Sequence, residues 1–279
     1  MKMKFYTLRL LGFLLMVAGL AACDMEQEIE VKLPVLPTQL VVECYLEEGK
    51  PIRLALSESA GYFEGAQPVI IHNATVTITK NGSQVIPLRF SVDVDNENEK
   101  ITNYSSRHVI QSQPGDVYTL TITDPTGRRV TGSTTVLPPA PLDSVGYKFN
   151  DKPKESQEAY LYIRWQDDPS RENFYRLLTH KNDSTGGVDS EMDAEINDRL
   201  RNGQKIIYTT TYRFDRGDTL NIKLFHLDRP YYEFISSVED ARRSNGNPFA
   251  QPVTIKSTVA GGYGVFTHLN YNTRELIIK

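Results

Sequence analysis

Val76-Thr77-Ile78-Thr79-Lys80-Asn81-Gly82-Ser83-Gln84-Val85-Ile86 is the stretch whose reading decides the fold class. Val76 to Thr79 alternate apolar and polar, the period of a half-buried strand. Asn81-Gly82 follows at once, and that pair tolerates positive φ at both central positions of a type I′ turn. Lys80–Ser83 therefore closes a hairpin, with Val85-Ile86 as the returning strand. Outward from this hairpin, Leu40–Leu46, Ile52–Leu56, Val69–Thr79, Val85–Phe90, Val117–Thr123 and Arg129–Val136 are rich in β-branched residues and divided by turn signals. Gln113-Pro114-Gly115-Asp116 and Asp124-Pro125-Thr126-Gly127 are two of those turns. Nothing in this part has helical length and period.

Strands this short and this regularly spaced predict an immunoglobulin-like β-sandwich over residues 38–137. Leu137-Pro138-Pro139-Ala140-Pro141 then marks a boundary, a Pro-rich linker at 138–141, because proline cannot donate to a ladder and keeps the chain extended. A second β-rich domain is predicted for 142–279. Its strand candidates are Ser144–Phe149, Ala159–Trp165, Phe174–Thr179, Lys205–Phe214, Thr219–Phe225, Val253–Lys256, Val265–His268 and Glu275–Ile278. One short amphipathic helix stands out. Asp228 suits its cap and Pro230 its first turn, and Tyr231, Phe234, Ile235 and Val238 fall at helical spacing. Arg242 and Arg243 favour its C-terminal end, and Asn245-Gly246 stops it. The expectation is an all-β chain with this helix covering the second sheet.

The N-terminus speaks of location. Lys2, Lys4 and Arg9 precede an apolar run from Leu10 to Leu20, the layout of a secretory signal over residues 1–22 and too short to span a bilayer. Leu20-Ala21-Ala22-Cys23 resembles a bacterial lipobox, the pattern cut by lipoprotein signal peptidase. That resemblance implies cleavage before Cys23, acylation of its thiol and amine, and membrane attachment through acyl chains. Asp24, Glu26, Glu28, Glu30 and the prolines at 34 and 37 make residues 23–37 an acidic extended tether. The acidic cluster also resembles the surface-export signal of Bacteroidota lipoproteins.

Removing 22 of the 279 residues leaves 28 basic against 35 acidic side chains, a formal charge of −7. An acidic chain lacks the clustered cations that nucleic acid or anionic lipid would demand. With Cys23 lipidated, Cys44 is the one remaining thiol, so no internal disulfide forms. Cys44 sits in a strand-like run beside Glu43, which reads as a small buried hydrophobe rather than a reactive thiol.

From end to end the mature chain is similar to the Bacteroidota lipoprotein family known as domain of unknown function 4249. Leu40–Gly49 resembles its opening strand, with Cys44 where glycine is usual. Asp168–Arg176 resembles its central turn and strand, and Asn197–Gly203 the loop that follows. Tyr231–Ile235, Asn247-Pro248-Phe249 and Gly261–Phe266 complete the match, while Lys256–Val259 departs from the family's Ser-Asn-Ile. The resemblance implies an envelope accessory encoded beside TonB-dependent outer-membrane transporters.

Chemistry has few candidates. Gly261-Gly262-Tyr263-Gly264 runs into a strand rather than a helix, so it reads as a close backbone approach, not a phosphate loop. Asp183, Asp189, Glu191, Asp193, Glu195 and Asp198 crowd the stretch 182–202, but an EF-hand register started at Asp189 places Ala194 at the required glycine. Asp93–Glu99 fails the same way, and both read as solvated acidic loops. His72, His108, His180, His226 and His268 are scattered without zinc spacing. Asp167 and Asp168 are adjacent and point to opposite faces, so they are no acid/base pair. Asp143-Ser144-Val145, Asp183-Ser184-Thr185 and Asp218-Thr219-Leu220 resemble a Bacteroidota O-glycosylation pattern. Among 15 tyrosines and one tryptophan, Tyr160, Tyr162, Trp165, Phe174 and Tyr175 are the candidates for a ligand or partner surface, with core placement the competing reading.

These readings converge on a non-enzymatic, lipid-anchored accessory of the outer membrane, with the cell surface and the periplasmic side both open as its location. It needs no cofactor, binds no nucleic acid, and binds either a nutrient ligand or a TonB-dependent receptor in nutrient uptake. The alternative is a structural or adhesion module without a small-molecule ligand.

Overall fold

A computed structural model describes residues 37–60, 69–95, 100–181, 192–245, 250–251 and 253–279. Cys23, the segment 1–22 and the tether through residue 36 lie outside these residues, as do Glu97, Glu99, Asp183, Asp189, Glu191 and 247–249. Thr38–Lys279 forms one compact unit.

The first strands are β1 (Leu40–Glu47), β2 (Pro51–Glu58), β3 (Val69–Ile70), β4 (Thr75–Lys80), β5 (Gln84–Asp95), β6 (Lys100–Val109), β7 (Val117–Thr123) and β8 (Arg129–Thr135). β9 (Leu142–Phe149), β10 (Ala159–Gln166), β11 (Phe174–Lys181), β12 (Met192–Asn197), β13 (Lys205–Thr209) and β14 (Thr219–Leu227) follow. The helix α1 (Arg229–Ser244), β15 (Val259–Ala260) and β16 (Tyr263–Ile277) end the chain. The all-β expectation holds.

The hairpin at Asn81-Gly82 forms as its chemistry requires. Asn81 has φ 52° and Gly82 φ 68°, and Ser83 N donates to Lys80 O at 3.2 Å. In β1 the alternation buries Leu40, Val42, Cys44 and Leu46, and in β2 Ile52, Leu54 and Leu56. These side chains join Val76, Ile78, Tyr118, Leu120, Ile122 and Phe266 in one core. β5 serves both walls of that core, pairing with β4 from Gln84 to Leu88 and with β6 from Arg89 onward.

A second core lies between β9-β10-β13 and the strands β12-β11-β14-β16, with Leu161, Ile163, Trp165, Tyr175, Leu177, Leu220 and Leu224 inside. The two cores share a strand. β16 runs parallel to β1 from Tyr263 to Leu269, then antiparallel to β14 from Asn270 to Ile277, so one 13-stranded sheet passes through both. Val265–His268 and Glu275–Ile278, expected as separate strands, are two parts of this one.

The proline linker is docked rather than loose. Prolines leave it few donors, and its carbonyls accept from side chains: Leu137 O from Asn270, Ala140 O from Asn272, and Pro138 O from His226. On the far face of the sheet α1 packs Tyr231, Phe234 and Ile235 against Phe174, Phe225, Val265 and Tyr45. Asp228 caps it, accepting from Tyr231 N at 2.9 Å while Thr134 Oγ1 donates to its other oxygen at 2.8 Å.

Several boundaries differ from expectation. Val69–Thr79 breaks into β3 and β4, and Lys205–Phe214 ends at Thr209 with an isolated bridge from Phe214 to Ala159. Val253–Lys256 is not a strand, although Val253 and Ile255 alternate; both are exposed, so no sheet face selects the pattern. β12 occupies part of the expected acidic loop because Asp193 and Glu195 point away from the core that Met192 enters. β6 escapes periodicity because the positions sharing a face with Tyr104 are Thr102, Ser106 and His108 rather than apolar residues.

Candidate functional site

The densest polar chemistry lies where β10, β11 and β14 end together. At the end of β10 alternation turns Asp167 inward and Asp168 outward. Asp167 accepts hydrogen bonds from Tyr175 Oη at 2.6 Å and Gly203 N at 2.7 Å. Asp168 instead accepts from Ser170 N at 2.9 Å and Arg171 Nε at 3.2 Å, shaping the turn over Pro169.

Asp198, just past β12, is fully buried. Its Oδ2 accepts from the backbone N and side-chain Nδ2 of Asn173, at 2.8 and 3.0 Å. Its Oδ1 has no donor, and the carboxyl lies in hydrogen-bonding reach of Asp167. Burial foremost, then the Asp167 charge, holds Asp198 above the usual carboxylate range, against the Asn173 bonds.

His226 completes the cluster. Its ring stacks on Tyr175 with centroids 5.3 Å apart, Nδ1 donates to Pro138 O at 2.7 Å, and Nε2 lies 3.0 Å from Asn173 Oδ1. Burial pulls the imidazole below its ordinary value, with the Pro138 bond opposing. Two carboxyls, a phenol and an imidazole are the parts of an acid–base site, yet all four are at most 4% exposed. Here they tie β10, β11, β14, the linker and the Gly203 turn to one another. The arrangement is a lock.

The aromatic candidates divide. Trp165 and Tyr175 are fully buried and meet edge to face at 5.4 Å, and Phe174 packs on the opposite side of the sheet against Tyr232. Trp165 is core because odd positions of β10 face inward, and Phe174 and Tyr175 are core because β11 is covered on both faces there. Tyr160 and Tyr162 stay together on the outer face. Tyr160 meets the half-exposed Tyr212 at 5.1 Å, Arg164 stands 4.9 Å from the Tyr162 ring, and that ring lies across Gly146, leaving no room for a Cβ there. The surviving surface is therefore Tyr160, Tyr162, Arg164 and Tyr212.

The remaining candidates resolve into structure. Cys44 is buried and its thiol is pushed far up by desolvation, so it is an inert core atom. Gly261 and Gly264 take φ of 83° and 119°, and a Cβ would enter the Arg129 and Val42 carbonyl oxygens respectively. This is the expected close backbone approach, where β16 threads between β8 and β1. Of the acidic stretch, Asp193 is paired with Arg176 and Glu195 accepts from Ser236. Among the described residues no three His, Cys, Asp or Glu converge as a metal requires. His268 stacks on Tyr118 and faces Ser112, while His226 pairs across from Asn270 on the neighbouring strand. Ser144 is exposed on β9 and Thr219 is half-buried on β14.

Adjacency excluded Asp167 with Asp168 as a pair, and the distant partner Asp198 went unseen. The available signal was an order: Asp168–Arg176 and Asn197–Gly203 both carried the family resemblance, and they meet at this cluster. A family model described as domain of unknown function (DUF4249) matches residues 26–275. No curated protein matches the chain.

Proposed function

The chain belongs to the DUF4249 family, and from that premise we propose that it is a lipid-anchored, non-enzymatic accessory of a Bacteroidota outer membrane. In this reading acyl chains on Cys23 hold it, the acidic segment to Pro37 spaces it from the bilayer, and a TonB-dependent transporter for a nutrient is its partner. The finer fold reading goes with it: residues 38–137 act as an immunoglobulin-like module and 142–279 as a second β-rich module joined by the linker at 138–141.

The observation that carries the proposal is where the chemical groups went. Asp167, Asp198, Tyr175, His226 and Cys44 are all buried. What faces solvent instead is Tyr160, Tyr162, Arg164 and Tyr212 on one sheet, and Phe90, Val92, Val94 and Ile101 on the β5–β6 hairpin, the last three each more than half exposed. Exposed apolar and aromatic surface on a strand pair is material for contact, not for turnover.

The test is a pull-down of the acylated protein from detergent-solubilised native outer membrane, followed by mass spectrometry. A stoichiometric TonB-dependent receptor is the expected companion. Capture without any transporter would leave the structural or adhesion reading in its place. Labelled palmitate should enter the wild type and not Cys23→Ala, and equal labelling of both would sink the anchor.

A further inference from the structure

Where β5 leaves β6 to join β4, the two walls of the first core part and a cleft of about 670 Å³ opens. One wall is β5 from Gln84 to Ser91, the other β6 from Ser105 to His108. Between Gln84 and Leu88 β5 has ladder partners in β4 alone, and between Ser106 and Val109 β6 has them in β2 alone. Each strand therefore turns one backbone edge toward the cleft, and such edges accept an added strand.

The side chains around those edges are cationic and apolar. Arg89 stands directly across from Ser105, and alternation puts Arg107 on the same face as Ser105. Serine at that centre leaves room beneath both guanidinium groups. Some exposed cations of this acidic chain are answered by a carboxylate, as Arg229 is by Glu172. Among the described residues neither Arg89 nor Arg107 has an acidic partner, and both are exposed. Val85, 61% exposed, and Phe90, 46% exposed, form apolar lips beside them.

We propose that this cleft binds an extended acidic peptide segment. The β5 and β6 edges pair with its main chain, Arg89 and Arg107 hold carboxylates at alternate positions on the face they share with Val85, and Phe90 covers the apolar side chains that alternate to the other face. Guanidinium is suited to this because its fork matches a carboxylate. The site goes beyond the accessory reading and does not rest on it, since neither an anchor nor a transporter enters the geometry.

The probe is a fluorescein-labelled, N-acetylated and C-amidated hexapeptide alternating aspartate and valine, titrated into the full-length chain in detergent by fluorescence polarisation. Saturable binding is expected, weakened about tenfold or more in the double variant Arg89→Ala/Arg107→Ala, with salt weakening the wild type much more than the variant. A thermal melt of the variant that matches the wild type shows that the loss is not unfolding. No binding, equal binding of a lysine–valine hexapeptide, or equal binding by the variant would overturn the site. Displacement by inorganic phosphate as effective as by unlabelled peptide would reduce it to a simple anion site and overturn the peptide assignment. A backbone N-methylated peptide should bind more weakly, and unchanged affinity would refute the strand pairing. A failed transporter pull-down touches none of these outcomes.

Discussion

Around β11 and β14 the polar side chains of the interior meet partners inside the protein: Asp167 with Tyr175, Asp198 with Asn173, His226 with Pro138. Around β5 and β6 the reverse holds, with Arg89, Arg107, Val85 and Val92 all facing solvent. Both regions are built of strands from one sheet, and both carry the residue types that chemistry uses. What separates them is closure. The sheet around β11 and β14 is covered by β9-β10-β13 on one face and by α1 on the other, so polar groups enclosed there must satisfy one another or bear the cost of desolvation. The first core is left parted along the seam between β5 and β6, where polar groups keep water until something displaces it. Reactive-looking residues in the sealed region are structural, and the plain ones at the seam are available.

The sharpest way to break this comparison is to attack the strand both regions share. Gly264→Ala puts a Cβ into the Val42 carbonyl at a positive φ, and is expected to cost about 5 kcal/mol or to abolish cooperative unfolding. Gly217→Ala, also at positive φ but with open space, should cost only about 1–2 kcal/mol. Denaturant melts of the pair check this, and similar costs would remove the threading of β16 as the reason.

Next comes the sealed core. Trp165→Ala should lose about 4 kcal/mol, while Tyr162→Ala, three positions earlier on the opposite face, should lose about 1 kcal/mol or less. Comparable losses in urea titrations would mean that the outer face is load carrying too.

Within the lock, Asp167→Asn turns an amide toward Tyr175 or Gly203 N and is expected to cost about 2 kcal/mol. Asp198→Asn keeps an acceptor for Asn173 and supplies a permanent donor to Asp167, so its cost should stay below about 1 kcal/mol. Its effect lies in pH. Asp198 is raised in the folded state, so its contribution is present at acid pH and is lost as pH rises through its folded value. His180, His226 and His268 are lowered, so the unfolded chain takes up their protons first and stability falls as pH drops below about 6.5. Asp198→Asn removes only the first contribution, and should gain on the wild type as pH rises from the carboxylate range toward neutrality. Urea melts at a series of pH values measure this, and a pH-independent offset between the two proteins would refute it.

The smallest effect belongs to the open seam. Arg89→Ala/Arg107→Ala should change unfolding free energy by less than about 0.5 kcal/mol, because neither side chain is answered by an acid within the described residues. A loss above about 1 kcal/mol in the same melts would place these arginines among the structural residues and erase the contrast.

Much was legible before any coordinates. Alternation in Val76–Thr79 gave a half-buried strand, and the strand-like run Leu40–Leu46 gave Cys44 as a buried residue. Asn81-Gly82 set a turn, Asp228 and Pro230 set a helix start, and Gly261–Gly264 announced a tight approach. Each of these rests on interactions between residues close in the chain: pleat, φ preference, a side chain capping an N–H three positions on. The grouping of Trp165 and Tyr175 with the outer tyrosines failed because shared composition says nothing about which face looks at water.

The rest depended on partners far apart in sequence. Nothing near Asn270 or Asn272 reveals that they hold the linker carbonyls, and nothing near Asp198 reveals Asp167. β16 reads as two short strands until β1 and β14 lie along its two halves, and β6 and β12 are strands because neighbours supply ladders that their own side chains do not advertise. Backbone hydrogen bonds within a sheet are specific in register but nearly blind to residue type, so local pattern proposes strands and turns. Burial and pairing at long range decide which strands join, which charges are enclosed, and which are left to meet a partner.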